Sequence, residues 1–333
     1  MNQVVMPVVG IDVSKKKLDV ALLAHGKLKH KVVENTKTGY ADLVVWLGKQ
    51  NVVAQDVHAC MESTGVYSEP AALGLQSLGL KVSMVNPTRI KGFGQSESIR
   101  NKNDRADAGV IARYCAAMNP PLWKAPAPEV RQLRAWNDRL AALNDIRQQE
   151  MNRIEALEFA GQEAVAAHVK KHVDWLDQQI AQLKKDIDDH IDRHPDLKRD
   201  VDLITSIPGL GRVTAAKVLG CVGDPRRFGD AKKLAAYLGV TPKQRQSGTS
   251  VRGRTTMSRQ GSKEARTALY LPAVTAMRFN PLLTAFAKRM EVNGMAKMAI
   301  VGAIMRKLVH QIYGVISSGK PFDPNHLNKT LAV

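Results

Sequence analysis

The chain has 333 residues, with 49 Lys plus Arg against 31 Asp plus Glu and a formal net charge of +18. Hydrophobic residues make up 44% and charged ones 24%, which excludes a disordered tail and leaves material for real cores. No run approaches the roughly 20 apolar residues that span a bilayer, and Met1 to Gly10 lacks a signal-peptide pattern. Three cysteines far apart in sequence, Cys60, Cys115 and Cys221, predict a reduced, cytoplasmic protein without a disulfide frame.

The charge is unevenly spread. Residues 1–118 carry 15 basic and 10 acidic side chains, residues 119–200 carry 13 and 15, and residues 201–333 carry 21 and 6. A folded block with a net charge of +15 points to nucleic acid as its partner. Basicity for solubility, or an acidic protein partner, is the alternative.

The predicted elements begin with an α/β segment, residues 1–120. Val8 to Val13 is dense in β-branched residues and reads as a buried strand. Lys17–Leu23 and Lys27–Val33 follow as strands, split by the turn-like His25-Gly26. Thr38 is expected to cap a helix carrying Leu43, Val44 and Leu47. Asp56–Met61 reads as a strand, Pro70–Leu78 as a helix, Lys81–Val85 as a strand ending at Pro87, and Asp104–Ala117 as a helix. Pro120, Pro121, Pro126 and Pro128 mark a boundary.

Residues 121–198 change period. Leu133, Trp136, Leu140 and Leu143 share one register, and Val169, Val173, Leu176, Ile180, Leu183 and Ile187 follow Gly161 at alternating spacings of four and three. That heptad seam predicts a coiled-coil helical hairpin, packed on itself or, as favoured here, pairing subunits. Residues 199–333 read as mainly helical and basic. Ile207-Pro208-Gly209-Leu210-Gly211 between two apolar helices resembles a helix-hairpin-helix turn, in which Gly209 and Gly211 offer backbone N–H groups to a phosphate. A plain helix connector is the alternative. A Gly/Ser/Arg-rich loop is expected over Lys243–Ser262, then helices around Ala265–Met277 and Ala296–Ile316.

Four acids carry chemistry. Asp12 lies inside an apolar strand, where a carboxylate is costly without a partner or a metal. Glu62 ends a strand, and Asp104 and Asp107 stand three apart at a helix start, facing one way. Carboxylates converging from strand, strand end and helix are how a nuclease-like fold holds two hard divalent cations beside a phosphodiester. Helix capping for Asp104 and a solvated loop end for Glu62 are the bland alternatives. No His lies within twenty residues of Ser247 to activate it. By residue chemistry alone Ser250, Ser258 or Ser262 would serve as well as Ser247. Arg245, Arg252, Arg254, Arg259 and Lys263 surround that serine and suit phosphates, or are simply solvated.

Three motifs are set aside. Gly314 to Lys320 fits G-x-x-x-x-G-K but has Pro321 where Ser or Thr would hold Mg²⁺. His168/His172 and His190/His194 are each four apart but lack a third ligand and read as exposed helix faces. No strand carries the paired rings of a base-stacking RNA module.

Gly10-Ile11-Asp12-Val13-Ser14, Met61-Glu62-Ser63-Thr64-Gly65, Asn86-Pro87 and Lys102-Asn103-Asp104-Arg105-Ala106-Asp107-Ala108 together resemble the RuvC-like domain of DEDD-type insertion-sequence recombinases. This is the IS-one-ten family, which includes Piv-like DNA invertases. The resemblance continues through Ile207 to Gly211, Phe228, Leu234 to Gly239, Thr241-Pro242, Ser247-Gly248 and Ser258 to Leu269. Val240 and Gln246 depart from the commoner pattern without removing a reactive group.

The resemblance implies an RNase H-like (RuvC-like) first domain with Mg²⁺ on Asp12, Glu62, Asp104 and Asp107. It implies Ser247 as a nucleophile that holds one DNA end as a phosphoserine. It implies donor and target double-stranded DNA, a guide noncoding RNA, and a dimer of dimers whose active sites join two subunits, acting at the bacterial nucleoid. A junction-resolving endonuclease using the four acids and water, and a non-catalytic nucleic-acid-binding protein, are the rivals.

Overall fold

The computed structural model describes residues 6–63, 65–97, 103–243, 246–247, 251–252, 255–258 and 260–325, with only the backbone of 246–247 and 251–252. The chain divides into two units, Met1–Ala125 and Pro126–Val333.

The first unit opens with β1 (Val8–Val13), β2 (Lys17–Ala24) and β3 (Lys27–Glu34), which form an antiparallel meander. The β2–β3 turn puts His25 and Gly26 at φ 49° and 72°, the positive pair that matches strand twist in a two-residue hairpin. Helix α1 (Lys37–Gly48) follows, then β4 (His58–Glu62), α2 (Gly65–Ser77), β5 (Lys81–Val85), α3 (Pro87–Ser96) and α4 (Asp104–Met118). The sheet order is β3-β2-β1-β4-β5, with β4 parallel to β1 and β5 parallel to β4. A mixed sheet flanked by helices fits the α/β, RNase H-like expectation. β3 is an edge strand, and Lys27, Lys29 and Lys31 are exposed along it.

Alternation along the strands separates two cores. Val9, Ile11, Leu22 and Met61 pack with Leu43 and Leu47 of α1 and Leu75 of α2. Val8, Cys60 and Val85 pack on the other face with Ile111, Tyr114 and Cys115 of α4. Cys60 and Cys115, distant in sequence, thus share a core as free thiols.

Several boundaries differ from expectation. Thr36, not Thr38, caps α1, its Oγ1 accepting the Gly39 N–H at 3.2 Å, so the helix starts earlier. Ala54–Asp56 forms a short 3-10 turn, and β4 begins only at His58. α2 starts at Gly65 and takes Pro70 inside, where the bond Pro70 cannot donate would go to the first-turn carbonyl of Val66. Helix α3, beyond Pro87, has no counterpart among the predicted elements. Asn86 caps it by accepting the Thr88 N–H at 2.9 Å, and Pro87 sits at its favoured first position.

The second unit begins with α5 (Pro128–Phe159) and α6 (Glu163–Arg193), joined at Gly161. Leu133, Leu140, Leu143 and Ile154 of α5 are buried, as are Val173, Leu176, Ile180, Leu183 and Ile187 of α6. Next come α7 (Pro195–Thr205) and α8 (Arg212–Val222). Asn137 of α5, 8% exposed, donates to the Ala216 carbonyl of α8 at 2.9 Å, and Arg134 Nε donates to that of Gly220 at 2.9 Å. Arg226 grips the nearly buried Asp200 of α7 with two hydrogen bonds of 2.8 and 2.7 Å.

The chain continues through α9 (Ala231–Tyr237), β6 (Pro242–Lys243), β7 (Gln246–Ser247), β8 (Val251–Arg252), β9 (Thr256–Met257), α10 (Lys263–Phe279), α11 (Pro281–Val292) and α12 (Lys297–Ser318). The stretch expected as a loop therefore contains two antiparallel pairs, β6–β9 and β7–β8. Contrary to the expectation that no run approaches a membrane span, α12 is long and apolar enough for one by length and composition, yet Ile300, Ile304, Leu308 and Ile312 lie in the core. Gly314 and Gly319 belong to its C-terminal end, not to a strand–loop–helix phosphate site.

Candidate active site

β1 supplies Asp12, and alternation puts it on the same face as Val8 and Gly10, toward α4. β4 runs parallel beside β1 with Ile11 opposite Met61, so Glu62 adjoins Asp12 at the strand ends, on that face. Asp104 and Asp107 occupy the first turn of α4, whose cap Asn103 accepts the Ala106 N–H at 2.8 Å. Acids in that turn also complement the helix dipole.

Gly10 lets these elements meet. A Cβ there would overlap the Ala108 carbonyl and the Ala112 amide of α4, backbone groups that cannot turn aside. The close approach of β1 to α4 therefore depends on a residue without a side chain.

Asp12 and Glu62 both respond to neighbouring acids. Burial, and then the negative charges of Asp104, Asp107 and Asp19, raise Asp12 above the usual carboxylate range, with Lys17 opposing. Burial, Asp12 and Asp107 raise Glu62. Asp104 is held low by its hydrogen bond from Lys17.

Sequence reasoning missed Asp19 and Lys17. Asp19 stands directly opposite Asp12 in the β1–β2 pair and is 7% exposed. The Lys17 ammonium lies 2.9 Å from Asp19 and 2.8 Å from Asp104. The signal was available, since a carboxylate inside an apolar strand is as costly at Asp19 as at Asp12.

An all-oxygen donor set of carboxylates suits a hard divalent cation such as Mg²⁺. Among the described residues, no three His, Cys, Asp or Glu side chains stand close enough to hold one ion as placed. The Asp104 carboxylate is engaged by Lys17. The residue types fit the metal.

The second unit holds the other candidates. Ser247 lies in β7, paired with Val251, and Arg252 pairs with Gln246. Arg245, Gly248, Ser250, Arg254 and Arg259 lie outside the described residues. Lys263 opens α10 and is exposed, and Ser262 caps that helix by accepting the Ala265 N–H at 3.1 Å. Gly209 has a packing reason: at φ 101° it presses against Ala276 of α10. Gly211 is the α8 N-cap, with no atom near the side chain it lacks and no side-chain cap bond.

The histidine pairs need one correction. His190 is buried and His194 half-buried rather than exposed, with His190 Nε2 meeting the Glu129 carbonyl of α5 at 2.9 Å. His194 Nδ1 meets the His190 carbonyl at 2.7 Å.

The Transposase IS116/IS110/IS902 family model matches residues 201–288, and a transposase model for DEDD-type IS110 enzymes matches residues 9–157. The pilin gene-inverting protein of Moraxella bovis is 35% identical over 322 residues, 95% of this chain and 97% of its own. That of Moraxella lacunata is likewise 35% identical over 95% of the chain and 97% of its own. The transposase for insertion sequence element IS1111A of Coxiella burnetii is 24% identical over 269 residues, 72% of this chain and 70% of its own. Two family models and full-length likeness to the gene-inverting proteins agree: the chain belongs to the IS110-type insertion-sequence transposases and is an enzyme of DNA recombination.

Proposed function

We propose that the chain is an RNA-guided, Mg²⁺-dependent recombinase that cuts and exchanges DNA strands through a covalent bond to Ser247. The observation that supports the metal part of the reading is that Asp12 and Glu62, side by side at the strand ends, are raised by burial and by the negative charges of neighbouring acids, Asp107 among them for both. Bound Mg²⁺ supplies positive charge that stabilises phosphodiester oxygens in the transition state. Asp12 and Glu62 would hold it from the ends of β1 and β4, and Asp104 and Asp107 from the first turn of α4.

In the reaction, the Ser247 hydroxyl oxygen bonds to phosphorus and one phosphorus–oxygen bond to deoxyribose breaks. The serine proton passes to water and the departing sugar oxygen takes one up. The phosphoserine is then attacked by another strand's sugar hydroxyl, which restores the serine. Arg245, Arg252, Arg254, Arg259 and Lys263 hold phosphates, and the open N-terminus of α8 at Gly211 offers N–H groups to another. Gly209 shapes that turn. Guidance by a structured noncoding RNA rests on the family resemblance, as does assembly into a dimer of dimers acting on the bacterial nucleoid. The α5–α6 hairpin within residues 121–198 is the proposed oligomerising element, between the metal-binding residues 1–120 and the serine-bearing residues 199–333.

The test is a cleavage assay with labelled DNA carrying donor and target sites, element RNA and Mg²⁺. Wild type yields a protein–DNA adduct, Ser247→Ala yields none, and Asp12→Asn neither cuts nor forms adduct while folding normally. Adducts that persist in Ser247→Ala move the nucleophile elsewhere. Cutting without adduct in wild type favours the junction-resolving reading, with water as nucleophile.

A further inference from the structure

Lys17 begins β2, and its ammonium connects two elements far apart in sequence. It lies 2.9 Å from Asp19 on its own strand and 2.8 Å from Asp104, which is 87 residues away on α4. Asp19 in turn faces Asp12 across the β1–β2 ladder, where two like charges destabilise each other unless a cation intervenes. Asp12, Asp19, Asp104 and Asp107 all add negative potential at this point, and Lys17 is the cation among the charges acting on Asp12. Its position is where a cation belongs in this cluster.

We propose that Lys17 is the built-in cation of the carboxylate site. It holds the α4 N-terminus against the sheet without metal, and a divalent ion must take Asp104 from it. Lys17 is then a positioning residue that competes with metal for one carboxylate. The protein stays assembled before metal arrives, at the cost of weaker metal binding. The inference rests on the reading that these acids hold a divalent cation.

The test is calorimetric titration of the full-length protein with Mn²⁺, together with melting curves of the metal-free forms. Removing the ammonium in Lys17→Met is expected to tighten Mn²⁺ binding about threefold to tenfold, the equivalent of one or two partly exposed ion pairs, and to lower the metal-free Tm. Lys17→Arg, which keeps the charge, is expected to bind Mn²⁺ no more tightly than wild type. Unchanged or weaker binding in a folded Lys17→Met would overturn the inference, because a merely structural lysine lowers Tm without tightening metal. If Lys17→Met does not fold, Lys17→Gln decides by the same criterion. Mn²⁺ binding that is absent from wild type, or indifferent to Asp12→Asn, removes the metal reading and this inference with it. Binding that Asp12→Asn abolishes but Lys17→Met leaves untouched removes only the inference.

Discussion

Asp12 and Asp19 face each other across the β1–β2 ladder, both on the side of the sheet that α4 covers. Two carboxylates at a cross-strand pair cost stability, and the protein keeps them beside Glu62, Asp104 and Asp107. That arrangement has measurable consequences in the metal-free state.

The first concerns pH. Asp12 and Glu62 bind protons more tightly folded than their reference values of 3.8 and 4.5, so between those values and the raised folded ones the native state holds more protons than the unfolded. Stability therefore falls as pH rises through that window and levels off above it. Asp12→Asn is expected to stabilise the metal-free protein at pH 7 by about 1 kcal/mol or less. The gain should vanish at a pH below the reference values, where wild type is protonated too. Urea denaturation at several pH values checks both the sign and the window.

A second expectation concerns the glycine that admits α4. Gly10→Ala should cost about 1–3 kcal/mol through overpacking against the α4 backbone. It should also weaken Mn²⁺ binding, because the helix bearing Asp104 and Asp107 must withdraw from Asp12. Denaturation and titration on one sample would show the two effects together. A mutant destabilised but unaltered in metal binding would mean α4 moves without moving its acids.

The legibility of the chain follows from where each signal sits. Strands, hairpin and heptad seam are readable because periodicity is local: Ile11 beside Asp12, or Leu176 followed by Ile180 and Leu183. The four acids stand out as candidates because Asp12 lies inside an apolar strand, Glu62 ends one, and Asp104 and Asp107 stand three apart at a helix start. Their company does not. The Lys17–Asp104 pairing depends on how α4 returns to β2, and no local pattern encodes that. Thr38 and Thr36 are both good caps, and only the backbone conformation separates them in favour of Thr36. His190 escapes sequence reasoning because its partner, the Glu129 carbonyl, lies on another helix.

In the second unit, Asp200 is nearly buried and held at two oxygens by Arg226. Asp200→Ala strands a guanidinium at a half-covered site and is expected to cost about 1–3 kcal/mol. Asp224, which also meets Arg226 at 3.1 Å, should soften the loss. The double mutant Asp200→Ala/Arg226→Met should recover part of it, a cycle that chemical denaturation can close.

DNA binding should show the charge directly. Replacing Arg245, Arg252, Arg254 and Arg259 with Gln is expected to flatten the dependence of log affinity on log salt by roughly 3–4, at about 0.9 for each phosphate no longer neutralised. Fluorescence anisotropy across a salt series measures that slope. A weaker affinity at unchanged slope would mean these arginines act on bases or on fold.

The edge strand β3 qualifies how the +18 is to be apportioned. Among the described residues, Lys27, Lys29 and Lys31 are exposed along the outermost strand of the sheet, a place where charge discourages pairing with a strand from another molecule. Charge at that place acts by repulsion between copies, and its removal would be read in light scattering and solubility before it was read in any nucleic-acid titration. On this reading part of the chain's positive charge is expected to keep its own copies apart.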